Sequence, residues 1–302
     1  MIKNEVKYLL GIDGGGTKTE FLLTDINGNE IKRILLGSSN PVNIGADNAC
    51  KLLLEGFNEI LSGIDYSEIS VYAGIAGAKA GNNENIIRAF LSETGFFCSD
   101  AGSDIELAPE LGFNGKNGVA VIAGTGIVAV ARNGEKLYRT GGRGYLIDKG
   151  GSGFHFGSDA LNSAFSFLDG RQGSEAILKL IEKRLGKSLE DSAGEIYKGG
   201  PSFIASFAPV VFEACRLGDR NAAEITDRNA KEIAALINGA FKLSGISEKN
   251  AVICGGLAKQ QDILLPFITK YLADDVSLAF NTEPMVKAAV SKAKRLAEEK
   301  IC

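Results

Sequence analysis

The sequence predicts an α/β fold made of two related halves. Three observations carry that prediction. An apolar strand ending in a glycine-rich turn occurs twice, each copy runs on into a second apolar strand and an Asn-Gly pair, and each half later returns to a buried-looking strand that ends in glycine. The first copy is Leu9-Leu10-Gly11-Ile12-Asp13-Gly14-Gly15-Gly16-Thr17-Lys18-Thr19, followed by Phe21-Leu22-Leu23 and Asn27-Gly28. The second is Val119-Ala120-Val121-Ile122-Ala123-Gly124-Thr125-Gly126, followed by Ile127-Val128-Ala129-Val130 and Asn133-Gly134. Both read as strand, tight turn, strand, hairpin, strand, because Asn-Gly suits the positive φ of a two-residue hairpin.

The other elements follow in order. Asp47 caps a helix carrying Ala49, Leu52, Leu53, Phe57, Ile60 and Leu61 at helical spacing. Ile69-Ser70-Val71-Tyr72-Ala73 is a strand ending in Gly74-Ile75-Ala76-Gly77, and a helix spans about 83–94. A short segment then reaches Ser103-Asp104, where the aspartate precedes a helix that Pro109 shortens or kinks. The second half repeats the plan with helical patterns over 158–169, 174–185, 202–217, 221–243 and 259–272. Its returning strand, Ala251-Val252-Ile253-Cys254, ends in Gly255-Gly256-Leu257-Ala258, and a final helix starts near 284. The polar, glycine-rich stretch Gly112–Gly118 marks the boundary, giving domains 1–115 and 116–302, with the last helix free to pack back on the first domain.

Composition narrows the function classes. The chain has 302 residues and 45% hydrophobic content, enough for a substantial core and too much for disorder. A net charge of −4 argues against a general nucleic-acid binder. No apolar run approaches the ~20 residues of a membrane span. Met1–Glu5 lead almost directly into a strand, with no signal-peptide stretch. Cys50, Cys98, Cys215, Cys254 and Cys302 lack metal-ligand spacing and are expected to be reduced thiols in a cytoplasmic protein.

The two glycine turns are the candidate chemistry. Glycine lets backbone N–H groups approach and point at anionic oxygens, so two such turns facing each other would grip a polyphosphate from both sides. Gly14, Gly15, Gly16 and Thr17 with Gly124, Thr125 and Gly126 are therefore candidate phosphate contacts, with Lys18 adding charge. Asp13 is placed to hold Mg²⁺ through water. A P-loop would need GxxxxGK[ST], and a dinucleotide fingerprint would lead into a helix where a strand follows here.

Asp-Gly-Gly-Gly-Thr-Lys-Thr at 13–19, Gly74-Ile75-Ala76-Gly77, Ser103-Asp104, Gly124-Thr125-Gly126, Gly141-Gly142-x-Gly144 and Gly151-Ser152-Gly153 occur in that order. The set resembles the N-acetylglucosamine kinase and BadF/BadG-type ATPase family, over nearly the whole chain. The resemblance implies two duplicated actin-like (ribonuclease H-like) ATPase domains with an interdomain cleft. It implies ATP-dependent phosphorylation of an N-acetylated amino sugar, expected at the 6-hydroxyl, with ATP and Mg²⁺ as cofactors. Asp104 becomes the general base that takes the hydroxyl proton. Asn40 becomes a sugar contact, and Gly255, Gly256 and Lys259 lie against the nucleoside. A homodimer is also compatible with the resemblance.

The segment Gly142-Arg143-Gly144-Tyr145-Leu146-Ile147-Asp148-Lys149-Gly150 departs from the family pattern. The family usually has tryptophan at the position of Arg143 and Gly-Asp-Glu at 148–150, with that aspartate on the sugar. Three readings compete. Asp148 takes over the missing acid's role; or the pocket is degenerate; or Arg143 and Lys149 meet a substrate carboxylate such as the lactyl group of N-acetylmuramic acid. Two other functions stay open: a BadF-type ATPase that activates a redox partner, and a non-catalytic sugar sensor. His155, the single histidine, is expected to be packed or half-buried, and Lys287, Lys292, Lys294 and Arg295 are expected to form a solvated helix face.

Overall fold

A computed structural model describes residues 6–301; Met1–Glu5 and Cys302, about which the sequence carried expectations, lie outside the described residues. The first sheet contains β1 (Tyr8–Gly14), β2 (Thr19–Asp25), β3 (Glu30–Leu36), β4 (Ile69–Ile75) and β5 (Cys98–Gly102), in the order β3-β2-β1-β4-β5. The second contains β6 (Gly118–Ala123), β7 (Ile127–Asn133), β8 (Lys136–Gly141), β9 (Asn250–Cys254) and β10 (Ser277–Asn281), in the order β10-β9-β6-β7-β8. In each, the first three strands pair antiparallel and the last two add in parallel. The two sheets thus share one plan, strand for strand.

The hairpins close at the expected places but not as two-residue Asn-Gly turns: the first loop spans the four residues 26–29, the second is Gly134-Glu135, and only the glycine of each Asn-Gly pair takes positive φ. Gly28 has φ 90° and Gly134 has φ 58°. In the first hairpin the Asp25 carboxylate accepts the backbone N–H groups of Asn27 and Asn29, at 2.9 and 2.8 Å. Helices α1 (Pro41–Ile44), α2 (Ala46–Ile60), α3 (Asn83–Glu93) and α4 (Leu107–Phe113) accompany the first sheet. Helices α5 (Gly153–Leu168), α6 (Glu175–Leu185), α7 (Ala193–Ala205), α8 (Ala208–Arg216), α9 (Arg220–Ser244) and α10 (Gln261–Thr269) accompany the second, and α11 (Val286–Ile301) ends the chain. None among the described residues is long and apolar enough to cross a membrane.

The chain divides into two compact units: residues up to Lys116 together with those from Glu283, and Asn117–Thr282. The last helix, which the domain limits 116–302 place in the second half, therefore belongs to the first unit. Its Val286, Ala289, Val290, Ala293 and Ala297 are buried with Leu9, Leu22 and Tyr72. Gly11 makes the approach possible, since a Cβ there would lie 2.6 Å from the Val290 nitrogen.

Several expected elements shift, each for a local reason. Gly45, not Asp47, is the N-cap residue of α2, and Asp47 lies in its first turn. Pro109 does not kink α4, because it falls in the first turn, where backbone N–H groups have no helical partner anyway. The segment 202–217 is two pieces: α7 bends at Gly200 (φ 63°) before Pro201, and α8 starts afresh at Ala208. Helix α5 starts five residues before the expected 158, because the Ser152 hydroxyl caps it by accepting the His155 N–H at 3.3 Å. Strands β5 and β10 were not anticipated. Both are edge strands of five residues with weak burial alternation.

Candidate active site

In the first unit β1 carries Asp13 to the end of the sheet. Asp13 pairs in register with Glu20 of β2 and Gly74 of β4, and Gly14 pairs with Thr19 and Ile75. The chain then turns tightly, with the Gly15 N–H donating to the Lys18 carbonyl at 2.8 Å. Gly14 has no room for a side chain: a Cβ would lie 2.3 Å from the Ser39 hydroxyl. Gly16, Thr17 and Lys18 form the exposed tip.

Asn40 is the N-cap residue of α1, its Oδ1 accepting the Val42 N–H at 2.9 Å. Its Nδ2 lies about 4.0 Å from where a Cβ on Gly16 would stand, so Asn40 borders the glycine turn. Gly77 (φ +79°) closes the other side, where a Cβ would meet Asn40 Oδ1 at 2.3 Å.

Asp13 is electrostatically unusual. Burial, then the charge of Asp104, then that of Glu20 push its carboxyl up to about 7, with Lys18 opposing. Asp13 and Asp104 thus share one electrostatic environment, although 91 positions separate them in sequence. Desolvation plus a like charge is the pattern that marks functional carboxylates.

Asp104 starts a 3₁₀ turn, Asp104–Glu106, that continues into α4. The helix-entry reading is realised, with Ser103 as the N-cap residue and Asp104 as an acid of the first turn. Its hydroxyl donates to Asp104 Oδ1 at 3.0 Å, and Glu106 Oε1 accepts the Ser103 N–H at 3.3 Å. Glu106 is anchored in turn by the Tyr72 hydroxyl at 3.1 Å, by Lys292 at 3.2 Å and by Lys79 at 3.3 Å. Burial alone would raise the Glu106 carboxyl; the Lys292 and Lys79 ammoniums hold it below its ordinary value. Sequence reasoning missed this network. Lys292 is not on a solvated face: its side chain is 19% exposed and lies 4.1 Å from the Tyr72 ring centroid. Arg295 likewise pairs with the buried Glu110.

In the second unit the Gly124-Thr125-Gly126 turn joins β6 to β7 at the position that Gly14–Lys18 holds in the first sheet. The Gly124 carbonyl accepts the Gly153 N–H at 2.7 Å, and the Thr125 carbonyl accepts the Phe154 N–H at 3.1 Å. The turn is thereby tied to the start of α5. A pocket of about 370 Å³ collects Gly124, Thr125, Gly153 and Gly256 with Ser202, Ser206, Phe212 and Gln260. Its volume falls within the small-molecule range. Gly255 (φ +91°) holds the β9 end here; a Cβ would meet the Ala123 carbonyl oxygen at 2.8 Å. Lys259 does not line this pocket, and Gln260 stands there instead. Ser202, Ser206 and Phe212 escaped the sequence reading because their only signal is a helical pattern.

The segment 141–153 organises itself. Asp148 Oδ2 accepts the N–H groups of Arg143 and Gly144 at 2.9 and 3.1 Å. Asp148 is therefore the cap of its own loop. Gly142 and Gly144 take the positive φ values, 68° and 104°, that the loop requires. His155 fastens the loop's end: Nε2–H donates to the Asp148 carbonyl at 2.8 Å, and Nδ1 lies 2.6 Å from the Ser152 hydroxyl. Arg143 is exposed and lines neither the pocket at Gly124 and Gly256 nor the one that contains Lys149.

A divalent cation fits the first unit in one way. Among the described residues no group of three or more His, Cys, Asp or Glu could hold a metal ion. Asp13, however, is a half-buried carboxylate beside a second negative charge, which favours a cation held by one carboxylate and otherwise by water and phosphate oxygens. Cys254 is buried at the end of β9, and its thiol is pushed up to about 12 by burial.

A profile of the BadF/BadG/BcrA/BcrD ATPase family matches residues 10–290. The chain is 28% identical over 280 residues to an N-acetylmuramic acid/N-acetylglucosamine kinase of Clostridium acetobutylicum, covering 88% of this chain and 90% of that one. It is 28% identical over 291 residues to an N-acetyl-D-glucosamine kinase of Dictyostelium discoideum, covering 89% and 91%. A solved Chromobacterium violaceum structure, provisionally named an N-acetylglucosamine kinase, superimposes with a TM-score of 0.73 at 24% identity, over 95% of this chain and 99% of that one. That likeness shows the fold alone: two related α/β units, each built on a five-stranded sheet.

Proposed function

We propose, from the premise that the chain belongs to the BadF/BadG/BcrA/BcrD ATPase family, that it transfers the γ-phosphoryl group of ATP to the 6-hydroxyl of an N-acetylated amino sugar. The observation that carries the reading is the Asp13–Asp104 pair beside a glycine turn, two carboxylates near enough for the charge of Asp104 to raise Asp13. The amino-sugar kinase names of the two relatives support the acceptor class.

In this reading Asp104 accepts the proton of the attacking hydroxyl, and the Glu106–Tyr72–Lys292 network fixes the turn that carries it. Asn40 donates to a sugar hydroxyl through Nδ2, its Oδ1 being used by the α1 cap. In the second unit Gly142, Arg143, Gly144 and Lys149 are the proposed sugar contacts, and Asp148 shapes the loop that carries them. The turns Gly14–Lys18 and Gly124–Gly126 are the proposed phosphate contacts; the Gly15 and Gly124 N–H groups brace the turns by donating to the Lys18 and Gly126 carbonyls, which leaves the N–H groups at the tips for phosphate oxygens, with the Lys18 ammonium adding charge. Gly256, with open space where a side chain would stand, leaves room for the nucleoside, and Gly255 lets the end of β9 pack against the Ala123 carbonyl beside it. Asp13 would hold Mg²⁺, which would supply charge neutralisation on the phosphates. No covalent intermediate on the protein is needed.

The acceptor position is tested with 6-deoxy-N-acetylglucosamine. It is expected to inhibit competitively against N-acetylglucosamine and to yield no phosphosugar by ³¹P NMR. Phosphorylation of the 6-deoxy sugar would move the acceptor to another hydroxyl.

A further inference from the structure

We propose that the pocket between the 149–159 segment and α9 is a subsite for an acidic substituent of the sugar, with Lys149 and Lys231 as its carboxylate partners and Glu232 as an acceptor for sugar hydroxyls. The inference rests on the kinase reading and names the substrate class within it: an amino sugar that carries a carboxylate.

The pocket has a volume of about 390 Å³ and lies wholly within the second unit. Its charged lining is Lys149, Arg228 and Lys231 against Asp159 and Glu232. One cation and one acid are already committed. Arg228 lies 3.5 Å from Asp159 Oδ2, which also accepts Asn229 Nδ2 at 2.8 Å. Asn229 is 3% exposed, and its Oδ1 accepts the Gly151 N–H at 2.8 Å. This chain of contacts joins α9 to the end of the sugar loop, so the pocket has a built wall. His155, whose two ring nitrogens face Ser152 and the Asp148 carbonyl, belongs to the same wall.

Three charges in the pocket remain. Lys149 and Lys231 have no acidic partner within 4.0 Å among the described residues, and Glu232 has no cation within that distance. Lys231 Nζ lies 6.0 Å from the Tyr271 ring centroid, at the outer limit of a cation–π contact. Gly150 lets the loop lie on the stem of Glu232: a Cβ there would stand 2.9 Å from Glu232 Cγ. Two uncommitted ammoniums and one uncommitted carboxylate match a ligand that offers a carboxylate and hydroxyls. Both lysines are exposed, so a neutral sugar would leave their ammoniums to water. Arg143, the other cation suggested by the sequence, does not line this pocket; Lys231 on α9 takes its place as the second partner.

The test compares KM for N-acetylmuramic acid and N-acetylglucosamine at saturating Mg·ATP, in wild type, Lys149→Gln, Lys231→Gln and Lys149→Arg. Each Gln variant is expected to raise KM for the acidic sugar about tenfold more than for the neutral one, and Lys149→Arg is expected to recover most of that difference. An equal effect on both sugars overturns the subsite. Calorimetric titration without ATP, using N-acetylmuramic acid, N-acetylglucosamine and inorganic phosphate, separates the sources of an anion. Phosphate binding that both Gln variants abolish, with the acidic sugar unaffected, would make this a free-anion site and also overturn the proposal. If no sugar supports turnover in wild type, the kinase reading fails. Lysine-dependent binding of the acidic sugar would then still support the subsite, and its absence would remove it.

Discussion

Asp104→Asn is expected to lower kcat by about 10²–10⁴-fold, the usual contribution of a positioned general base, while changing sugar KM by less than about threefold. The amide keeps the shape of the side chain, so the Ser103 hydroxyl retains an acceptor there. Proton acceptance is what disappears. The same variant carries a second signature that a merely structural residue would not produce. Asp104 is the largest charge effect raising Asp13, so its removal should bring the Asp13 carboxyl down from about 7. The acid limb of Mg·ATP binding then moves to lower pH. A variant that keeps more than a tenth of wild-type kcat would exclude Asp104 as the base.

Asp13→Asn is expected to abolish turnover and yet stabilise the ligand-free protein at alkaline pH. The sign follows from linkage. The Asp13 carboxyl is raised from 3.8 to about 7 in the folded state, so the folded protein holds its proton more tightly than the unfolded chain does. That contribution is fully present below 3.8 and is lost as pH rises through about 7. At pH 8 the folded protein therefore carries an ionised carboxylate in a half-buried site beside Asp104 and Glu20. The corresponding ceiling is about 4 kcal/mol, and partial exposure lowers the expected gain to about 2. The variant's Tm should exceed wild type by several degrees at pH 8, and the difference should shrink toward pH 5. Wild-type Mg·ATP affinity should also increase with pH up to about 7, because the cation competes with the Asp13 proton. Calorimetry in two buffers of different ionisation enthalpy near pH 6.5 should show proton release in wild type and none in Asp13→Asn. Equal Tm values at pH 8 would contradict the electrostatic account of this site.

The duplication was legible because its strands bury both faces: β4 is buried at every position, and β1 and β6 are apolar nearly throughout. The glycine turns stood out because each lies at a strand end. The edge strands β5 and β10 were hidden, since an edge needs only a few half-buried residues. The start of α5 was hidden by its glycines, although Ser152 three positions before His155 was a usable capping signal. The Glu106–Lys292 pair joins residues 186 positions apart, and no local pattern marks such a partner. Asp148 looked like an acid displaced by one position. Its role as the cap of its own loop depends on the positive φ values of Gly142 and Gly144, which sequence suggests only weakly.

The most direct test of the central claim is ADP formation with Mg·ATP in the presence of N-acetylglucosamine, N-acetylmuramic acid, glucosamine or no sugar. Turnover with an N-acetylated sugar at least about tenfold above the sugar-free rate is the predicted result, since a base poised for a sugar hydroxyl should leave water largely unused. ADP formation at the same rate with and without sugar would contradict it and point to an ATPase whose acceptor is water.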